Sequence, residues 1–155
     1  MYDLDMKNTI IFDLDGTLAD ISVRRKLSTK PNGKMDWDIF FDPDNIKLDV
    51  PNDPVVKMAQ LFAGDGFNII IFSGRSDKTK HTTLDWLAHN KVPFNKLVMR
   101  DTVRHFMPDN DFKKQLLNEH VDIDDVFLVV DDRQQVVDMW RSLGLNVFQV
   151  ADGNF

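Results

Sequence analysis

Asn8-Thr9-Ile10-Ile11-Phe12-Asp13-Leu14-Asp15-Gly16-Thr17 begins as an apolar run and ends in two acids separated by one residue. Ile10, Ile11 and Phe12 are consecutive β-branched and aromatic positions, the pattern of a strand covered on both faces. Extended backbone alternates its side chains, so Asp13 and Asp15 project to one side, Leu14 to the other, and Gly16 permits a sharp exit. Such a strand belongs in a parallel sheet wrapped by helices, where ligands sit beyond the carboxyl ends of the strands. The turn at Asp13 is therefore the first place to look for chemistry.

Outward from this stretch, four further runs carry the same signature: Phe67 to Ser73, Lys96 to Met99, Val126 to Asp131 and Asn146 to Val150. Helical signals separate them. Asp53 as a cap and Pro54 at the first helical position precede apolar Val55, Val56, Met58, Ala59 and Phe62, and Gly64-Asp65-Gly66 is the stop. Helices are also expected from about Asp77 to His89 and from about Asp109 to His120. A last one places Val136, Val137, Trp140 and Leu143 on one face and ends at Gly144. The alternation predicts an α/β fold, a mostly parallel sheet of about five strands with helices on both faces. Residues from about 20 to 51 break the rhythm with scattered charge, Pro31, Gly33, Pro43 and a Trp37, Phe40, Phe41 cluster, and read as a small inserted cap. One domain over residues 1–155, carrying that cap, is the expectation.

Apolar residues make up 43% and charged ones 28%, the balance of a chain that buries a core rather than staying disordered. Cysteine is absent, which excludes disulfides, thiolate metal sites and a cysteine nucleophile and leaves oxygen or histidine to bind any metal. His81, His89, His105 and His120 show no ligand spacing. No apolar run approaches the roughly 18 residues of a membrane span, and the opening Met1-Tyr2-Asp3-Leu4-Asp5 has acids where a secretory signal carries bases. A cytoplasmic protein without membrane contact is expected. The formal charge of −6 disfavours broad binding to polyanions, so any nucleic-acid contact needs a local basic patch. No Gly-x-x-x-x-Gly-Lys loop is present, which excludes a P-loop for nucleoside triphosphates.

Two more predicted strands end in polar residues, at Ser73-Gly74-Arg75 and at Asp131-Asp132-Arg133. Taken singly, each signal is bland. An Asp-x-Asp is an ordinary turn pair, Asp132 suits a helix cap, and Ser73 is one more strand-end hydroxyl. Taken together, Asp13, Asp15, Asp131 and Asp132 would bring four carboxylates to one sheet edge, which is costly unless a hard cation or a retained proton offsets them. Oxygen ligands in that number favour Mg2+.

Asp13-Leu14-Asp15-Gly16-Thr17-Leu18, Ser73-Gly74-Arg75, Lys113 and Asp131-Asp132-Arg133, in this order, resemble the four motifs of the haloacid dehalogenase superfamily over essentially the whole chain. More narrowly, Phe72 to Asp77, Asp131 to Arg141 and the stretch Gln149 to Phe155 are similar to the phosphatase domain of phage polynucleotide kinase/3′-phosphatase. Arg24 and the cap residues Trp37 to Phe41 fit stand-alone relatives of that domain. Departures are the missing kinase half, a looser match from Arg100 to Lys113, and Met107 where the family often has an arginine before Pro108-Asp109.

The resemblance implies an HAD-like Rossmannoid sheet and a Mg2+-dependent phosphomonoesterase with an aspartyl-phosphate intermediate. Asp13 is then the nucleophile, Asp15 the general acid/base, and Ser73 and Lys113 the phosphate ligands, with Lys114 as the alternative lysine. Metal is implied at Asp13, at the Asp15 carbonyl and at Asp131 or Asp132. Thr17, Arg24, Gly74, Arg75, Arg100 and Arg133 are the candidate substrate contacts. The expected substrate is a phosphorylated 3′ end of nucleic acid or a nucleotide, in end repair beside a separate kinase and ligase, in the host cytoplasm if phage-encoded. A phosphatase of 5′-nucleotides or small metabolites is the alternative, and a non-catalytic phosphoacceptor module a more distant one.

Overall fold

The computed structural model describes residues 6–155, so the acidic opening at residues 1–5 lies outside the described residues. Strands β1 (Thr9–Phe12), β2 (Ala19–Asp20), β3 (Val50–Pro51), β4 (Asn68–Ser76), β5 (Lys96–Arg100), β6 (Val126–Asp131) and β7 (Val147–Gln149) alternate with seven α-helices. The main sheet has the order β5-β4-β1-β6-β7. Every pairing in it is parallel, with Ile10 beside Ile69 and Leu128 at the centre.

Alternation in β1 divides the core. Ile10 and Phe12 join Ile69, Ile71, Leu128 and Val130 under α4 (Asp53–Gly64) and α5 (Lys80–His89). Ile11, with Ile70, Phe72 and Val129, packs under α6 (Asp109–His120) and α7 (Gln134–Ser142). This is the both-face burial that consecutive apolar residues call for. The predicted elements are found with shifted edges. Asn52, not Asp53, is the cap of α4, and α5 is preceded by a separate 3-10 turn at Asp77–Thr79. β4 runs on to Ser76 because its register with β5 slips between Ser73 and Ser76, a bulge that carries the Ser73-Gly74-Arg75 stretch.

The irregular segment leaves and returns through a two-stranded antiparallel ribbon in which Ala19 faces Pro51 and Asp20 faces Val50. Between these strands lie α1 (Ser22–Ser28), α2 (Trp37–Phe40) and α3 (Pro43–Ile46). The last two are single turns capped by Asp36 and Asp42, whose side chains accept backbone N–H bonds.

Candidate active site

β1 and β6 lie side by side, and the chain crosses to opposite sides of the sheet around them. Their carboxyl ends therefore border the crevice where open parallel sheets bind ligands. Asp13 follows β1, with its N–H bonded to the Val130 carbonyl at 2.9 Å, and Asp131 ends β6 with Asp132 next after it. The carboxylates of Asp13, Asp131 and Asp132 lie within 4.8 Å of one another, all buried. Lys113, brought up by α6 and 1% exposed, donates from Nζ to Asp13 Oδ1 at 2.7 Å and to Asp131 Oδ2 at 3.1 Å. Lys114 is exposed and lines a different surface hollow, whereas Lys113 is the one that reaches the carboxylates.

One ammonium does not offset three carboxylates in a buried space. Burial pushes the Asp13 carboxyl well above its ordinary value; Lys113 draws it back, and Asp131 and Asp132 push it up again. Asp132 is also raised, first by burial. Burial would lower Lys113, but Asp13, Asp131 and Asp109 overcome it and hold the ammonium firmly charged. Crowded oxygen donors with net negative charge and no nitrogen or sulfur ligand fit a hard divalent cation, and Mg2+ in particular.

The Asp15 carboxylate stands apart from that trio. Its Oδ1 accepts from Arg75 Nε at 2.9 Å, from Arg75 Nη2 at 2.6 Å and from Arg24 Nη2 at 2.8 Å. Burial alone would raise this carboxyl, but Arg75 and Arg24 reverse the direction and keep it low. Both guanidiniums are shared with Asp49, which accepts from Arg24 Nε at 3.0 Å, from Arg24 Nη2 at 2.8 Å and from Arg75 Nη2 at 3.0 Å. The result is a buried square of two arginines and two aspartates joining the cap to the sheet.

Several residues expected against substrate have other duties in the structure. Thr17 is fully buried and donates from Oγ1 to Asp13 Oδ2 at 2.8 Å. Arg24 is fully buried too, with its remaining nitrogen on the Phe40 carbonyl, and Arg75 spends Nη1 on Thr83. Burial of this depth is possible only because every guanidinium nitrogen has a partner. Ser73 is buried, and its Oγ accepts the Arg75 N–H at 3.2 Å. The Gly74 carbonyl accepts from Arg100 Nε at 3.3 Å, and a Cβ on Gly74 would meet Asp109 Oδ1 at 2.9 Å.

Arg100 also donates to the Arg104 and Met107 carbonyls, both at 2.8 Å, and to Asp109 Oδ1 at 3.0 Å, pinning the loop between β5 and α6. Arg133 donates from Nε to the Phe155 carbonyl at 3.0 Å. Arg75, Gly74, Arg100 and Arg133, but not Thr17 or Arg24, line a cavity of about 780 Å³ that contains Asp13, Asp15, Lys113, Asp131 and Asp132.

Two further glycines pack tightly on Asp132, one on its side chain and one on its backbone. Gly16 has φ +82°, and a Cβ there would lie 2.1 Å from Asp132 Oδ2. Gly153 leaves no room for a side chain against the Asp132 carbonyl, 1.9 Å from its ideal Cβ. The stretch after β7 thus folds over the acidic pair, and Gln149 Nε2 bonds the same carbonyl at 3.2 Å.

Arg25, Phe106 and Phe155 also line the cavity, and neither they nor Asp49 and Trp140 were singled out for the site by sequence. Trp140 Nε1 donates to Asp131 Oδ2 at 3.3 Å, whereas the helical pattern marked it only as core. Asp49 lies in an irregular segment with no period to flag it.

Comparison with known proteins agrees with this geometry. The family model for the phosphatase domain of polynucleotide kinase PNKP matches residues 7–155. The structure of a Pnkp1/Rnl/Hen1 complex contains a chain 33% identical over 99% of this one, with a TM-score of 0.79. The present chain spans about half of that relative, 49% of its length. Two more distant structures share the fold. A haloacid dehalogenase-like hydrolase from Streptococcus pneumoniae is 13% identical with a TM-score of 0.69, covering 94% of this chain and 84% of its own. The L-2-haloacid dehalogenase of Xanthobacter autotrophicus is 15% identical with a TM-score of 0.65, covering 94% and 78%. The chain is therefore a phosphatase of the haloacid dehalogenase superfamily and belongs to the family of PNKP polynucleotide kinase phosphatase domains.

Proposed function

We propose that this protein removes the phosphate from 3′-phosphorylated nucleic-acid ends or nucleotides through an aspartyl-phosphate on Asp13. The observation that carries the chemistry is the pairing of buried Lys113 with both Asp13 and Asp131 beside Asp132. Asp13 Oδ1 and Oδ2 are fixed by Lys113 and Thr17, so the carboxylate is oriented before substrate arrives. Attack on phosphorus forms the mixed anhydride and expels the sugar 3′-oxygen, which takes a proton from Asp15; water, deprotonated by Asp15, then releases inorganic phosphate and restores Asp13. Mg2+, held by Asp13, Asp131, Asp132 and the Asp15 carbonyl, would offset the charge of phosphate beside carboxylate. Lys113 stabilises charge on the non-bridging oxygens, and in this reading the Ser73 hydroxyl, at the end of the neighbouring strand, turns to substrate and joins it.

The arginine clamp gives Asp15 two tasks in sequence. Ionised in the free protein, it suits the water-activating step. An incoming phosphate dianion raises the pKa of a neighbouring carboxyl and so favours the protonated form needed for the leaving group. Arg24, Arg75 and Asp49 act as positioning residues in this reading, whereas Arg100 and Arg133 face the cavity as substrate contacts. The Pnkp1/Rnl/Hen1 relative comes from an RNA repair complex, which supports a setting in end repair beside kinase and ligase activities.

The test is phosphate release with and without Mg2+ from oligonucleotides phosphorylated at either end and from mononucleotides. We expect 3′-phosphorylated ends to be preferred, and Asp15→Asn to lower turnover about 10²- to 10⁴-fold with a cooperative melt retained. Preference for 5′-nucleotides would move the substrate to the metabolite class, and near-wild-type turnover by Asp15→Asn would remove the assigned acid.

A further inference from the structure

The catalytic cavity has an aromatic wall that the phosphoryl chemistry does not use. Phe40 is only 7% exposed and lies 4.4 Å under the Arg24 guanidinium, so it belongs to the cap core. Phe41, half-buried, packs on that core and stacks on Trp37 with centroids 5.9 Å apart and planes 19° from parallel. Trp37 itself stays 59% exposed at the cavity wall.

From a separate element, the loop before α6, comes Phe106, 93% exposed and lining the same cavity. That loop is not slack. The Asp101 carboxylate accepts from Arg104 N at 3.0 Å, and Arg100 donates to the backbone carbonyls of Arg104 and Met107, on either side of Phe106. A phenyl ring held almost wholly in water by a braced loop forgoes the burial that usually places it. Its surroundings say what would cover it. The ring borders a cavity whose volume suits a nucleotide, whose floor holds the reacting carboxylates, and whose walls carry Arg25, Arg100 and Arg133 for backbone phosphate.

We propose that Trp37 and Phe106 form a stacking site for unpaired nucleobases at the phosphorylated end. The protein thereby selects a terminal nucleotide with a free base face over a phosphomonoester that lacks one. This rests on the phosphatase reading above. Stacking tolerates any base, because each presents a π face, so the selection is for nucleotide character rather than sequence. A terminal base paired in a duplex is held on its partner strand and on the pair beneath it and cannot turn into the site without losing both, so recessed or blunt ends lose the contact.

The experiment compares a single-stranded 3′-phosphorylated oligonucleotide with the same strand ending in a 3′-phosphorylated tetrahydrofuran abasic unit. Wild-type protein should favour the base-bearing end in kcat/KM by about tenfold or more, mostly through KM. The double variant Trp37→Ala, Phe106→Ala should bring the two substrates within about twofold, and Trp37→Phe with Phe106→Trp should restore the preference, as stacking predicts. Equal rates in the wild type, or an undiminished ratio in the double variant, would overturn the proposal and leave these rings as a docking face for a protein. If neither end is hydrolysed, the phosphatase reading fails on its own, and stacking is decided separately. A 3′-terminal 2-aminopurine strand should then be quenched by the wild type and not by the double variant; no quenching with the wild type sinks the site.

Discussion

Lys113 and Lys114 show how far one residue of helical rotation decides a role. A step along α6 turns the side chain by about 100°, so the face carrying Phe112, Leu116 and Leu117 also carries Lys113, three and four positions before the two leucines. The periodicity around position 113 was in the sequence, and it puts Lys113 rather than Lys114 on the buried face. Asp49 offered no such reading, because its partners Arg24 and Arg75 are 25 and 26 residues away. Removing Lys113 leaves Asp13 and Asp131 buried without their cation. Breaking a buried pair costs about 3–5 kcal/mol, but Asp13 is already biased towards holding a proton, which softens the loss. Lys113→Met should therefore abolish phosphatase turnover and lower stability by about 2–4 kcal/mol in denaturant melts without Mg2+. Lys114→Ala, on the exposed face, should leave both unchanged.

At the scale of elements, strands were legible and the helices inside the cap were not, for one physical reason. A strand covered on both faces writes its burial as an unbroken apolar run, as in Ile69-Ile70-Ile71-Phe72. The cap helices α2 and α3 have four residues each and bury one residue apiece, Phe40 and Ile46, too few for a period to appear. Their stability is borrowed: Trp86 of α5 donates to the Asp49 carbonyl at 2.9 Å, and the arginine square closes the joint. The far end of α6 carries a different charge problem. His120 lies 6.4 Å from the Phe72 ring, and partial burial, then Lys96, lower its pKa below the ordinary 6.5, with Glu119 opposing and Arg104 assisting. The unfolded chain therefore takes up this proton first on acidification. Stability is unaffected well above pH 6.5, falls as the pH drops from there towards the folded value, and stops falling below it. Melting temperatures measured from pH 8 to 5 should show a shallower acid slope in His120→Gln than in the wild type; parallel slopes would remove His120 from the account.

The whole molecule carries a formal charge of −6, and its fold concentrates part of that surplus at one point between β1 and β6. Among the described residues no helix is long and apolar enough to cross a membrane. The sequence placed the acids at strand ends but could not say how they divide, because that depends on where distant cations arrive. Lys113 sits with Asp13 and Asp131, while Arg24 and Arg75 draw Asp15 out of the cluster. Three close carboxylates against one ammonium make the folded state a better binder of a divalent cation than the unfolded chain, in which those acids are far apart. Binding to the folded state alone adds RT ln(1 + [L]/Kd), about 2.7 kcal/mol at a hundredfold excess over Kd. For a chain of this size that is roughly 5–10 °C in melting temperature. Mg2+ should raise the transition by an amount that grows logarithmically with concentration, and chelation should reverse it together with activity. Asp132→Asn lessens the repulsion, so it should melt higher than the wild type in chelator, whereas Asp131→Asn gives up the Lys113 ion pair and should not; each should gain less from added Mg2+. The crossing of the two effects in one titration separates a built cation site from a general salt effect, which would raise all three proteins alike.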